Sequence, residues 1–132
     1  MVKEEGVSRR MAKFTVDLKN AIRYYLQLTK PMHKLADKRI DLLTEILYMF
    51  TIERQNFKRA DDAWTIVFNG VNRAKIRQKM DMTKQVFENY LSEFRKKGII
   101  VNNQVDPRYN PAITPGCKSY ELLFKFDIKD EQ

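Results

Sequence analysis

The stretch from Asn72 to Gly98 constrains the chain most, because it carries two helical apolar stripes with too few residues between them for the helices to part. In the first segment Ile76 and Met80 lie four apart, so both fall on one face of a short helix over 73–80. Asn72 has the chemistry of its N-cap, and Val71 is spaced to pack on Ile76 as a hydrophobic staple. Asp81 and Met82 make the break. Thr83 then caps a second helix over 83–97, with Met82 and Phe87 at the same staple spacing. Val86, Phe87, Tyr90, Leu91 and Phe94 give this helix its buried stripe, and Gly98 ends it by taking a left-handed conformation. Two helices joined by such a break form a helix-turn-helix.

The flanking segments extend the pattern. Ile40, Leu43, Ile46, Leu47 and Phe50 predict a helix over 37–54. Before it, Phe14, Val16 and Leu18 alternate as in a strand, while Ala21, Ile22, Tyr25, Leu26 and Leu28 follow helical spacing; a helix over 17–29 therefore competes for the same start. Pro31 is expected to end it. Residues 55–62 are polar and read as a loop. Ala63 to Phe68 is rich in β-branched and aromatic residues and reads as a short strand closed by Asn69 and Gly70. Ile99, Ile100 and Val101 predict a strand, residues 102–118 a polar connection holding Pro107, Pro111, Pro115 and Gly116, and Tyr120, Leu122, Phe124 and Phe126 a second strand. The pair would be a hairpin with a long loop.

The 132 residues fit one compact domain with a short arm. The expected division is a basic N-terminal arm and helix over 1–34, a main domain over 35–126 and an acidic tail over 127–132. Net charge is +8, but unevenly spread: residues 1–39 carry +6 and residues 73–97 carry +5, against −2 for 40–72 and −1 for 98–132. A polyanionic partner fits that map; so do lysine-rich faces that are simply well solvated. No apolar run reaches the roughly 18 residues of a membrane-spanning helix, and residues 1–14 lack a signal-peptide core. The single cysteine, Cys117, excludes an internal disulfide and favours a reducing, cytoplasmic setting; with only His33 beside it, no zinc site of the usual kind is expected. His33 itself reads as a surface residue. No P-loop, dinucleotide turn, nucleophile elbow or zincin motif is present, so neither a cofactor nor enzymatic activity is expected.

Helix, short strand, helix, turn, helix and hairpin is the order of a winged helix-turn-helix domain, an α+β and mainly α fold. The run from Met82 to Ile100, ending Phe94-Arg95-Lys96-Lys97-Gly98-Ile99-Ile100, resembles the recognition helix of MarR-like and related winged-helix proteins. The resemblance covers roughly residues 35–126. It implies double-stranded DNA as partner, with the N-terminal half of helix 83–97 in the major groove. Thr83, Lys84, Gln85, Asn89 and Ser92 would then lie at the contact. Gln85 and Asn89, one turn apart, have amides able to pair with an adenine edge, and Lys84 can reach guanine or phosphate. Arg73, Lys75, Arg77 and Lys79 would hold phosphates, and Arg108, Tyr109 and Lys118 would belong to the wing over 102–118, with Arg108 directed into a minor groove.

Two features depart from the family. MarR-like regulators dimerise through helices at both ends; here only residues 14–28 are available for a homo-oligomer or protein partner. Glu88 and Glu93 also lie on the presumed recognition helix, where carboxylates repel phosphate unless they sit off the contact face or accept from a cytosine amine. Two functions therefore remain open: a transcriptional regulator of a bacterium or phage, or a non-enzymatic structural protein, for instance of a virion, that uses the same scaffold to dock proteins.

Overall fold

A computed structural model describes residues 3, 4 and 6–130. Among these it is mainly helical, with two short antiparallel hairpins. Strands β1 (Lys3–Glu4) and β2 (Val7–Ser8) pair with each other; Met1, Val2 and Glu5 of the basic arm, and Glu131 and Gln132 of the acidic tail, fall outside the described residues. Residues 9–17 run without regular structure into helix α1 (Leu18–Leu28). No strand forms at 14–18. Asp17 instead caps the helix, its carboxylate accepting from the Asn20 amide at 2.8 Å.

The helix ends ahead of Pro31, as expected, with Thr29 as its C-cap. Pro31 itself sits in the first turn of a further short helix α2 (Lys30–His33), where its missing N–H would have had no partner anyway. His33 is buried rather than exposed (4% accessible). Its Nε2 donates to the Leu26 carbonyl at 2.7 Å and its Nδ1 accepts from the Leu35 amide at 3.0 Å, a pairing that requires the neutral ring. Burial, and then the nearby cations Lys30 and Lys97, push its ionisation below the usual histidine value.

Helix α3 (Asp37–Glu53) is the central element. It buries Ile40, Leu43, Ile46 and Leu47 as the spacing predicts, and Leu42, Thr44 and Thr51 as well, because it is covered on more than one side. The two buried threonine hydroxyls donate to the carbonyls four residues back, at 2.8 Å each, so neither is left unsatisfied. Helix α1 joins the same core through Ile22 and Leu26 and is tied to α3 by Lys19–Glu45 and Arg23–Asp41 ion pairs at 2.6 and 2.9 Å. Residues 18–28 are therefore part of the folded body and not only of an arm.

The expected strand at 63–68 is a helix, α4 (Ala60–Val67). Its composition favours β structure, but Ala60, Ala63, Trp64, Val67 and Phe68 recur at helical spacing, and burying that stripe overrides propensity. Trp64 stacks on Phe50 of α3 with ring centroids 3.9 Å apart and on Phe68 at 5.8 Å. Asp61 and Asp62 occupy the first turn, where carboxylates favour the helix dipole.

The two helices of the central motif are present as α5 (Gly70–Lys79) and α6 (Lys84–Lys96). The N-cap of α5 is Asn69, three residues earlier than expected; its side chain accepts from the Asn72 amide at 2.8 Å. Val71, which would have been the staple, is 67% exposed. The C-terminus of α5 closes with the Asp81 amide donating to Gln78 and the Met82 amide to Arg77, while Asp81 takes a positive φ of 53°. Thr83 caps α6 as predicted, and Met82 and Phe87 are both buried. At the other end the Gly98 amide donates to Arg95 and that of Ile99 to Phe94, with Gly98 at φ 74°.

The hairpin departs most from expectation. Strands β3 (Ile100–Val101) and β4 (Gln104–Val105) pair directly, joined only by Asn102 and Asn103, both with positive φ. That is the backbone of a two-residue type I′ turn, whose twist matches the strands it connects. The chain thus reverses long before Tyr120. Residues 106–113 fold back onto the core through Tyr109 and Ile113, and residues 119–126 form no strand and are exposed.

Candidate nucleic-acid interface

The capped start of α6 presents Lys84, Gln85 and Asn89 to solvent. Gln85 Nε2 donates to Asn89 Oδ1 at 2.9 Å, so the two amides form one polar surface a turn long. Ser92, a turn further on, is half-buried, and Thr83 spends its hydroxyl on the Val86 amide at 3.2 Å. Of the five positions expected on this helix, Lys84, Gln85 and Asn89 are brought together at its surface.

The carboxylates on α6 are accounted for inside the protein. Glu93 receives two bonds from Arg39 of α3, at 2.6 and 3.0 Å, and these hold its carboxyl below the usual carboxylate range. Arg39 also lies over the Tyr90 ring at 4.7 Å. Glu88 pairs with Arg73 at 3.3 Å. Lys84, Arg95 and Lys96 make no ion pair among the described residues, so the charge α6 leaves to solvent is positive. Sequence reasoning missed Arg39, because a partner 54 residues away leaves no local signal.

The four cations of α5 do not form one surface. Arg73 is drawn inward: Nε donates to the Phe68 carbonyl at 2.8 Å, and the guanidinium stands 5.7 Å from the Phe68 ring. Lys75 and Lys79 lie on the opposite side of the helix, lining a shallow groove against Tyr48, Met49 and Ile52 of α3. Lys79 pairs there with Glu45 at 3.3 Å. Arg77 is half-buried, one turn from Arg73.

The residues expected in a wing over 102–118 are also redistributed. Tyr109 is buried (8% accessible) and belongs to the core. Arg108 remains on the surface but is held by Asp106, whose carboxylate accepts from its backbone N–H at 2.9 Å and its Nε at 3.1 Å; these bonds keep the Asp106 carboxyl low. The Arg108 carbonyl accepts from the Tyr25 hydroxyl at 3.1 Å. Lys118 is exposed in an irregular segment. The tip of the hairpin is Asn102–Asn103, and Gln104 anchors it to α4 by donating to Asp61 at 2.6 Å.

Among the described residues no cluster of three metal-ligating side chains occurs, and no helix is long and apolar enough to cross a membrane. Comparison with protein-family models, with curated proteins and with solved structures gives no match to this chain.

Proposed function

We propose that this chain is a non-enzymatic DNA-binding protein, a transcriptional regulator of a bacterium or phage acting in the cytoplasm, that places the N-terminal half of α6 in the major groove. In this reading α3, α5, α6 and the β3–β4 hairpin make a winged helix whose wing has been cut to a two-residue tip. The observation that carries it is the sorting of charge on α6. Glu88 and Glu93 are occupied by Arg73 and Arg39, while Lys84, Gln85 and Asn89 are exposed together. Paired amides suit an adenine edge, and Lys84 suits guanine or a phosphate. Arg95 and Lys96 add attraction to the backbone without reading sequence.

Fluorescence anisotropy with a labelled random duplex, titrated at several salt concentrations, tests this. The slope of log affinity against log salt should be negative and should flatten by about one for each phosphate-contacting cation removed, as in Lys84→Glu or Arg95→Glu. No binding at low salt, or full affinity in a chain carrying both Lys84→Glu and Arg95→Glu, overturns the proposal. A second reading, a structural or virion protein that docks other proteins, draws support from the apolar side chains that residues 11–16 and 119–128 leave exposed.

A further inference from the structure

Tyr24, Leu28 and Met32 follow one another at intervals of four across α1 and α2, and each is about half exposed. Phe14 of the preceding irregular segment stacks on Tyr24 at 5.9 Å and lengthens the stripe. A second apolar surface lies at the other end of the chain. Tyr120, Leu122 and Phe124 are partly covered, but Phe126 and Ile128 are 84% and 92% exposed. Soluble monomers rarely leave two such surfaces uncovered.

The two surfaces complement each other in charge and length. In sequence the stripe is interspersed with cations, six basic residues against Asp17 over 10–34, whereas residues 119–130 hold three carboxylates, Glu121, Asp127 and Asp130, against two lysines, one of which, Lys125, pairs with Asp127 at 3.5 Å. Two stripes facing each other would set cations against cations; the C-terminal segment on the stripe sets opposite signs together. In reach, the six residues 125–130 span about 20 Å when extended, ample for the step from Tyr24 to Leu28, which covers about 6 Å along α1. The segment also starts beside α1: Tyr120 is near enough to Tyr25 that, after burial, this neighbour pushes its phenol ionisation up.

We propose that two copies of this chain form a reciprocal dimer in which Phe126 and Ile128 of each copy cover the Tyr24–Leu28–Met32 stripe of the other. The exchange is self-complementary about a two-fold axis, so it closes at two copies.

The test is sedimentation velocity of the full chain from 1 to 100 μM, with reductant present because Cys117 is exposed and free. The wild type should dimerise within that range. The Leu28→Glu/Met32→Glu chain and the Phe126→Ser/Ile128→Ser chain should each be monomeric, with unchanged far-UV circular dichroism, since all four positions are exposed. Mixing the two variants restores one of the two contacts, so a heterodimer should appear, at least tenfold weaker than the wild-type dimer. A monomeric wild type at 100 μM overturns the proposal, including the case in which the wild type instead sediments with anionic vesicles. A dimer that survives loss of Phe126 and Ile128 but not of Leu28 and Met32 overturns the assignment of the C-terminal segment. A dimer that survives both pairs places the interface elsewhere.

Discussion

Replacing Arg73 by lysine keeps the charge and removes the geometry, and it separates a scaffold role from a phosphate contact. In the folded chain Arg73 Nε donates to the carbonyl of Phe68 at the C-terminus of α4, and a second guanidinium nitrogen reaches Glu88 of α6. One planar group thus joins α4, α5 and α6. A hydrogen bond from a charged donor is worth about 1.5–3 kcal/mol, and partial exposure places this one at the lower end. The pair with Glu88 is more than a quarter exposed on both sides and adds about 0.5 kcal/mol after screening. Arg73→Ala should therefore cost about 2 kcal/mol. Arg73→Lys, whose point-like ammonium cannot serve both acceptors in these directions, should cost about 1–1.5 kcal/mol. Urea unfolding followed by circular dichroism reads the loss as a lower midpoint at constant slope. A double-mutant cycle with Glu88→Gln should return a coupling of about 0.5 kcal/mol. Affinity for duplex DNA, measured where both proteins are fully folded, should be unchanged by Arg73→Lys. If Arg73→Lys unfolds at the wild-type midpoint, or weakens DNA binding while remaining as stable, the inward assignment of Arg73 is wrong.

Two further predictions follow from buried and strained positions. The His33 ionisation is depressed in the folded chain, so its contribution to stability is complete above the unfolded value near 6.5 and is lost as pH falls below it, where the unfolded state binds the extra proton. Unfolding midpoints at pH 7, 6 and 5 should fall for the wild type and flatten for His33→Gln; an equal slope in both assigns the effect to other groups. The left-handed conformations at Asp81 and Asn103 suit glycine better than any L-residue, so Asp81→Gly and Asn103→Gly should each raise stability by about 0.5–1 kcal/mol, and a lower thermal midpoint in either would contradict the turn geometry.

The sequence was most informative where local chemistry and burial agree. The caps at Thr83 and Gly98 and the stripes of α3 and α6 could be read from residue spacing, except that Val86, expected in the α6 stripe, is 37% exposed because it lies off the face that Phe87, Leu91 and Phe94 bury. Misreadings arose where a distant partner decides the outcome. Ala63–Phe68 has the composition of a strand, but burial of its helically spaced stripe, with Trp64 stacked on Phe50 of α3, outweighs that propensity. Alternation from Tyr120 to Phe126 looked like a hairpin partner because the Asn102–Asn103 turn, two residues long and without glycine, is a weak signal beside the prolines that follow. At the candidate interface the residue types were legible, but their directions were not. Whether Arg73 and Glu88 face solvent or each other depends on how α5 crosses α6, which no spacing within either helix records.

The stack of Phe50, Trp64 and Phe68 has a practical consequence for anyone handling this protein. Trp64 is the sole tryptophan and is almost completely enclosed, so its fluorescence reports the α3–α4 seam and little else. Emission should shift to the red when that seam opens and stay still when a ligand settles on α6 or a second copy arrives at α1. The molecule thus carries its own optical gauge of core integrity, one that can be read during a binding titration.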